Sequence, residues 1–489
     1  MKLSSYLKHK GEDVELFDFL PYKSFYASAY KIRDDGNFNF FGSKEDDGLK
    51  SDDLKFYKSQ EFGLNKYSFI RPTGEYISRL GFYRSRYYCG GDKNIFIDYL
   101  RKNKPDKIWV SSGITYSYRG TVELINWCKD VYPDVPVCLG GIYPSLCYEH
   151  AVKNTKADIV MRGKSDEWDS YPLDFDVLPN SPQYIIRILS NGCPNRCGFC
   201  SVTFLEGSRV SFTDVDSDIE QLRETSQKYD VSKIKVWGSN LLIPDGGKSF
   251  NRWLDGIIAM DRKFEIVMPE GFPPERITVP LCRKLKQAGL KYITIPLEDA
   301  DDEFLTGKMK KNYSVDTWKR AVDCAIEAGF NRDDIWGPLI LGTPGQGKES
   351  LIKAIKIMSE KGIRPEARPY TPVPMSDWYM NSGYFKSLDL ELLIGCLFPA
   401  IDNIEKFREI NKAFSILHGG FSDRYKDTIE NYVKEEENEK RKLEGQEMER
   451  EIMNKMARLL LDVADQQEEI LKAINKISNE DKSKENEKV

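Results

Sequence analysis

The stretch Tyr184-Ile185-Ile186-Arg187-Ile188-Leu189-Ser190-Asn191-Gly192-Cys193-Pro194-Asn195-Arg196-Cys197-Gly198-Phe199-Cys200 decides the fold. Its first part is a short apolar run of the kind that forms a buried strand. Its second part puts three cysteines on one loop, spaced Cys-x3-Cys-x2-Cys. Thiolates crowded in this way suit a soft metal or an iron–sulfur cluster better than a packing role. A structural zinc site or an electron-transfer cluster normally takes four protein ligands, and no fourth Cys or His lies nearby. Cys193, Cys197 and Cys200 therefore read as an incomplete metal site, with a coordination position left for a substrate or cofactor.

Toward the C-terminus the strand Gln183–Leu189 opens a regular alternation. A helix around Ser217–Tyr229 precedes the strand Lys233–Gly238. A helix with Phe250, Trp253, Leu254, Ile257 and Ile258 on one face precedes the strand Phe264–Met268. Three further helices, Val279–Ala288, Val315–Ala328 and Leu351–Lys361, are closed by Gly289, Gly329 and Gly362. Each leads into an apolar run: Tyr292–Leu297, Ile335–Leu341 and Glu366–Tyr370. A glycine followed by apolar residues is the pattern of a left-handed C-terminal cap feeding a strand. Six such units, fewer than the eight of a closed barrel, predict a partial (β/α)6 TIM-type barrel over residues 183–385. The strand carboxyl ends would form its working face, with the cysteine loop among them.

Toward the N-terminus, residues 1–170 read as an α/β domain of their own. Val14–Leu20 looks like a strand, 33–53 like a surface loop, and Tyr83–Gly91 mixes aromatic and basic residues. Strands at Lys107–Gly113, Val135–Gly141 and Ala157–Gly163 alternate with helices at Tyr118–Val131 and Leu146–Asn154, which predicts a doubly wound parallel sheet. Ligands bind such sheets at strand carboxyl ends, so the loops after Gly113 and Gly140-Gly141 are candidates. Ser165–Pro182, with three prolines, reads as a linker. Residues 386–489 read as a helical tail. Its Lys/Glu-rich stretch around Glu435-Glu436-Glu437 is solvated. A heptad seam follows, through Met453, Met456, Leu460, Val463, Gln467, Ile470, Ile474 and Ile477, and the end beyond Ser478 is polar and disordered. The seam could pair with a second copy or fold back on its own chain.

Of 489 residues, 40% are hydrophobic, enough for two or three cores, and 72 Lys and Arg against 77 Asp and Glu leave a net charge of -5. That balance gives no support to nucleic-acid binding driven by overall charge. No apolar run reaches the ~18 residues of a membrane span, and Met1–Lys10 lacks the core of a signal peptide, so a cytoplasmic protein without membrane contact is expected. The seven other cysteines stand singly among apolar neighbours and read as small buried hydrophobes.

The Cys-x3-Cys-x2-Cys spacing, with Phe199 just before the last cysteine and six strand–helix units around it, resembles the radical S-adenosylmethionine (SAM) superfamily over Gln183–Tyr379. The resemblance implies that the three cysteines bind a [4Fe-4S] cluster whose open iron chelates SAM. It implies that Gly238, Ser239 and Asn240 meet the methionyl amino group and Glu298 the ribose. It places Gly337–Gly345, with Gly337 and Leu341, against the adenine, and likens Pro372-Val373-Pro374 to a turn after the sixth strand. Reductive cleavage of SAM would give a 5′-deoxyadenosyl radical, so the cofactor carries the hard chemistry and no catalytic side chain is assigned. Residues 1–170 resemble the cobalamin-binding-type domain that precedes the barrel in one subgroup. Ser111–Thr115, Gly140–Ser145 and Ala157–Gly163 carry that likeness. The usual Asp-x-His-x-x-Gly is absent, since His9, His150 and His418 stand elsewhere, so cobalamin would bind without a histidine from that motif. The shorter Arg162–Glu167 also replaces a more acidic turn.

The expected function is that of a radical SAM enzyme on an unidentified substrate, supplied with electrons by a flavodoxin or ferredoxin. Cobalamin would direct it to methyl transfer, and its absence to hydrogen abstraction followed by rearrangement, cyclisation or cleavage. The alternatives are a non-catalytic iron–sulfur redox or scaffold protein acting through its C-terminal helix, and a zinc-binding scaffold.

Overall fold

The computed structural model describes residues 1–17, 23–28, 68–79, 82–91, 93–178 and 180–418, with the strands between 23 and 91 described by backbone alone. The described residues belong to one compact unit. The expected loop at 33–53, the acidic run, the heptad seam and the polar end all lie outside the described residues.

Strands β1 (Lys23–Ser28), β2 (Ser68–Arg79) and β3 (Phe82–Gly91) make an antiparallel sheet in the order β1-β3-β2. The mixed aromatic and basic stretch at Tyr83–Gly91 is thus a strand paired on both sides. Val14–Phe17, expected to begin a strand, is irregular. Next come β4 (Ile108–Ser112), β5 (Val137–Gly141) and β6 (Ile159–Val160), parallel and in the order β4-β5-β6. The helix Tyr118–Val131 between the first two is as expected. The one expected near 146–154 is two shorter helices, Ile142–Leu146 and Tyr148–Asn154. Each crossover steps the same way. The reversal of strand order that defines a doubly wound sheet is therefore missing among the described strands.

The remaining strands are β7 (Ile185–Asn191), β8 (Ser211–Phe212), β9 (Lys233–Gly238), β10 (Glu265–Val267), β11 (Ile293–Thr294), β12 (Ile335–Leu341) and β13 (Arg364–Pro369). β7, β9 and β10 run parallel, with the short β8 antiparallel to the end of β7. β11, β12 and β13 are parallel too. A parallel bridge between Ile266 and Leu290, just before β11, joins the two groups edge to edge. Six parallel strands thus follow one another in sequence order, and all their carboxyl ends lie along one edge.

Helices cover this array because the apolar stripes foreseen in sequence face it. Phe250, Trp253, Leu254 and Ile257 are buried on Lys248–Ile258, as are Leu351, Ile355 and Met358 on Lys348–Lys361. Arg187, the one charge in the β7 run, is buried against Asp218, which also accepts from Trp253 Nε1 at 2.9 Å. A buried charge needs such a hydrogen-bonded partner. Gly289, Gly329 and Gly362 all end their helices with positive φ, as the sequence pattern requires. The β4–β6 sheet lies in the same compact unit as this array. Its Tyr118, Leu139 and Tyr143 share one buried cluster with Tyr370, Phe385, Leu390 and Leu393, which follow β13. The linker expected at 165–182 therefore lies inside one compact unit. No described helix is long and apolar enough to cross a membrane.

Candidate active site

β7 delivers the cysteine loop to the carboxyl edge, and Gly192 turns the chain there. Its φ is 88°, and a Cβ would overlap the backbone carbonyl of Arg209. Only glycine takes that conformation without strain and leaves that space. The loop is then held by its own backbone. The Cys193 N–H donates to Gly207 O at 3.1 Å, and the Thr203 hydroxyl donates to the carbonyls of Cys193 (3.1 Å) and Asn195 (2.9 Å). The Val202 N–H points at Cys200 Sγ, 3.5 Å away. Gly198 packs against Trp378 so closely that a Cβ would overlap the indole, and its carbonyl accepts the Trp378 N–H at 2.9 Å. Ser201 Oγ donates to Pro374 O at 2.6 Å, so the expected Pro-Val-Pro turn braces the loop from the far side.

Cys193, Cys197 and Cys200 are half-buried and unbridged. Burial pushes the Cys200 thiol up to about 11 and raises Cys197 as well, while Lys311 pulls Cys197 the other way. Lys311 Nζ donates to Glu298 Oε1 at 2.8 Å and lies 5.0 Å from the Phe199 ring centroid. Burial works against the ammonium, yet the Glu298 carboxylate outweighs it and holds the Lys311 pKa above the ordinary lysine value. Of the other cysteines, Cys128, Cys138 and Cys282 are buried as expected, and Cys147 and Cys324 are half-buried.

The other strand ends bring more polar groups to this edge. After β9, the Gly238 N–H donates to Glu270 Oε2 (3.0 Å) and Ser239 Oγ to Glu206 Oε2 (2.6 Å), which also takes the Gly192 N–H at 2.8 Å. Burial, with Glu206 nearby, raises the Glu270 pKa. The Asn240 N–H reaches Ser190 Oγ at 3.3 Å, whereas its Oδ1 is buried with no hydrogen-bond partner. Thr343 Oγ1 after β12 and Tyr370 OH after β13 share that condition. Glu298 sits in the left-handed region at φ 63° and is 8% exposed. Buried polar atoms are normally paired, so three orphans along one edge mark a place built for something polar.

Of the six residues expected to meet SAM, Gly238, Ser239, Asn240 and Glu298 lie at this edge with the cysteines. Gly337 and Leu341 do not present side groups to it. A Cβ on Gly337 would run into Met358 and Ile363, and strand alternation puts Leu341 on that same helix-facing side. The Leu341 carbonyl is already taken by the Tyr370 N–H at 2.8 Å. Lys311, Trp378, Glu206, Glu270 and Tyr370 were not foreseen. Glu206 ends the helix Val202–Glu206, Glu270 follows β10, Lys311 precedes the helix Val315–Glu327, and Tyr370 and Trp378 follow β13, so no local spacing ties them to the cysteines.

The segments after β4 and β5 lead into helices with buried tyrosines. Gly141 (φ 100°) approaches Ser112 too closely for any side chain. Tyr143 is fully buried, with its hydroxyl 2.8 Å from His150 Nδ1, and Tyr118 OH donates to Asp389 Oδ2 at 3.1 Å.

A sequence profile described as the radical SAM superfamily matches residues 188–358. A probable threonylcarbamoyladenosine tRNA methylthiotransferase of Pyrococcus horikoshii is 24% identical over 233 residues, which is 46% of this chain and 53% of the relative. The ribosomal protein uS12 methylthiotransferase RimO of Dictyoglomus thermophilum is 26% identical over 301 residues, 59% of this chain and 63% of the relative. The chain thus spans about half the length of the first of these and somewhat more of the second. Among solved structures, the radical SAM methyltransferase TsrM from Kitasatospora setae, with cobalamin and a [4Fe-4S] cluster bound, aligns at a TM-score of 0.47. It is 14% identical, and the alignment covers 58% of this chain and 68% of that one. The cysteine spacing, the six parallel strands in sequence order and the profile match over 188–358 agree: the chain carries a domain of the radical SAM superfamily.

Proposed function

We propose that this protein is an enzyme that cleaves SAM reductively and abstracts a hydrogen atom from a substrate not yet identified. One observation carries the reading. Three thiols follow β7 at the edge where Asn240, Thr343 and Tyr370 each bury a polar atom without a partner.

The domain implies a [4Fe-4S] cluster and SAM, and the donor set fits them. Among the described residues no group of three or more His, Cys, Asp or Glu could hold a single metal ion. A cubane takes each thiolate on a separate iron and does not need such convergence. Cys193, Cys197 and Cys200 would hold it, and when bound, cluster and SAM together supply a 5′-deoxyadenosyl radical. The chain's own residues bind and orient. The turn Gly238–Asn240, with Glu206 and Glu270 behind it, offers carboxylates and an amide oxygen to an ammonium group. Glu298, anchored through Oε1 by Lys311, is the candidate for a ribose hydroxyl. The backbone of Gly342-Thr343 closes β12 beside it. Phe199, Trp378 and Tyr370 wall the edge against water. The Lys311 ammonium offsets the negative charge gathered by thiolates and Glu298.

Strands in sequence order support a partial (β/α)6 barrel over 183–385, with 1–170 as a cobalamin-binding-like domain in front. Cobalamin bound to that domain would direct the reaction to methyl transfer. A flavodoxin- or ferredoxin-like cytoplasmic reductant and a C-terminal heptad helix that pairs two copies belong to the same reading.

The test is anaerobic reconstitution of the full chain, followed by SAM, dithionite and assay for 5′-deoxyadenosine. Product is expected, and Cys197→Ala abolishes it. A fully loaded cluster that yields none overturns the enzyme reading and leaves the redox or scaffold alternative standing.

A further inference from the structure

We propose that the cavity lined by Pro344, Trp378, Phe385, Pro399, Ile401 and Asp402 is the substrate site, and that it takes a small aromatic or apolar amine. The proposal rests on the radical SAM reading above. The cavity is open to solvent on one side and has a volume of about 680 Å³, within the range of small-molecule sites. Two of its walls belong to the candidate site. Pro344 follows Thr343 at the end of β12, and Trp378 stands on Gly198 between two of the cysteines. Two of the orphan hydroxyls lie beside it. Thr343 precedes Pro344, and the Tyr370 ring packs 5.4 Å from that of Trp378 and 6.2 Å from that of Phe385.

The lining selects a chemistry. Besides the apolar walls it contributes Asn381, Ser382 and the exposed Asp402, whose Oδ1 accepts from Asn403 Nδ2 at 3.2 Å. Among the described residues no Lys, Arg or His lines it. A phosphate would meet a carboxylate and no cation, whereas an ammonium would meet its complement. The Trp378 indole offers an aromatic face that suits a flat apolar body or a cation.

Titration calorimetry on the reconstituted full chain tests this with 2-phenylethylamine, its neutral counterpart 2-phenylethanol, and adenosine monophosphate. The amine is expected to bind about threefold more tightly than the alcohol, as for a single exposed charge pair, and the nucleotide not at all. Asp402→Asn, a surface change, should remove the preference for the amine. Ala400→Trp, which fills the cavity from its rim, should abolish amine binding, with the circular dichroism and iron content checked on the same preparation. Nucleotide binding at least as tight as the amine's, or amine binding unchanged in Ala400→Trp, overturns the proposal. SAM cleavage is assayed in parallel without any probe. Cleavage without amine binding sinks the cavity assignment alone, and amine binding without cleavage sinks the enzyme reading and with it the role of the cavity as a substrate site, leaving only an amine-binding cavity.

Discussion

Lys311 and Glu298 form an ion pair with both side chains almost out of water, 14% and 11% exposed, at the edge that carries the thiols. Removing one partner leaves the other charge buried, so Lys311→Met should cost about 3 kcal/mol, and Lys311→Met with Glu298→Gln should recover most of it. Urea unfolding of the metal-free protein checks both, and a loss below about 1 kcal/mol for the single change would refute the pairing. The thiols give a second expectation. Burial raises the pKa of Cys200 to about 11, so at pH 8 it is almost wholly protonated, and the reactive thiolate accumulates only as pH rises. Iodoacetamide at pH 8 should label Cys200 roughly a hundredfold more slowly than an exposed thiol with an ordinary pKa near 8.5, the gap closing toward pH 11. Equal rates measured by peptide mass spectrometry would contradict the burial. The three cysteines were legible because their spacing lies within one loop. Lys311, Glu206 and Trp378 were not, because the fold, and no local pattern, brings them there.

The strand–helix unit is the element that sequence described best, since its signals are local. The helices Tyr118–Val131 and Val279–Ala288 and the strands Lys233–Gly238 and Ile335–Leu341 have the bounds their periodicity implies. β10 and β11 are shorter than their apolar runs, because pairing there passes to single bridges at Ile266–Leu290 and Glu298–Leu339. The N-terminal antiparallel sheet was missed for a different reason. β1 pairs with β3 across a long intervening segment, and residues rich in Tyr and Arg give no apolar face to read. Strand order in β4–β6 is likewise invisible to local periodicity. The glycine caps show how one motif carries unequal demands. At Gly289 φ is 99° and a Cβ would overlap the Phe264 carbonyl, while at Gly329 φ is 91° and the nearest atom is the Lys286 ammonium, 3.1 Å away. Gly329→Ala should therefore cost about 1–2 kcal/mol for the left-handed backbone alone, and Gly289→Ala clearly more. Denaturant midpoints that rank them the other way would reject this account.

At the scale of the molecule, the β4–β6 sheet and the six-strand array behave as one folding unit on the evidence of their shared core. Tyr118, Tyr143, Tyr370, Phe385 and Leu390 belong to a single buried cluster. Arg119 ties the two parts further, its Nε lying 3.0 Å from Glu391, whose side chain is 4% exposed. The N-terminal helix Lys2–His9 adds ion pairs from Lys2 to Asp169 and from Lys8 to Asp174, both within the proline-containing segment 165–182. A contiguous apolar cluster of this kind makes independent motion of the halves costly, whereas domains joined only by a linker separate freely. A sequence-specific protease site placed within 176–182, once cut, should thus leave the halves co-eluting in gel filtration, with one cooperative unfolding transition. Arg119→Met removes its pairs with Asp389 and Glu391 and, because the guanidinium is half exposed, should lower that transition by about 1 kcal/mol without splitting it. Halves that part under native conditions, or two transitions in the uncut protein, would show that the shared cluster does not bind them. The β4–β6 sheet would then be a domain free to move over the cysteine edge, and the segments after β4 and β5 could open to a ligand.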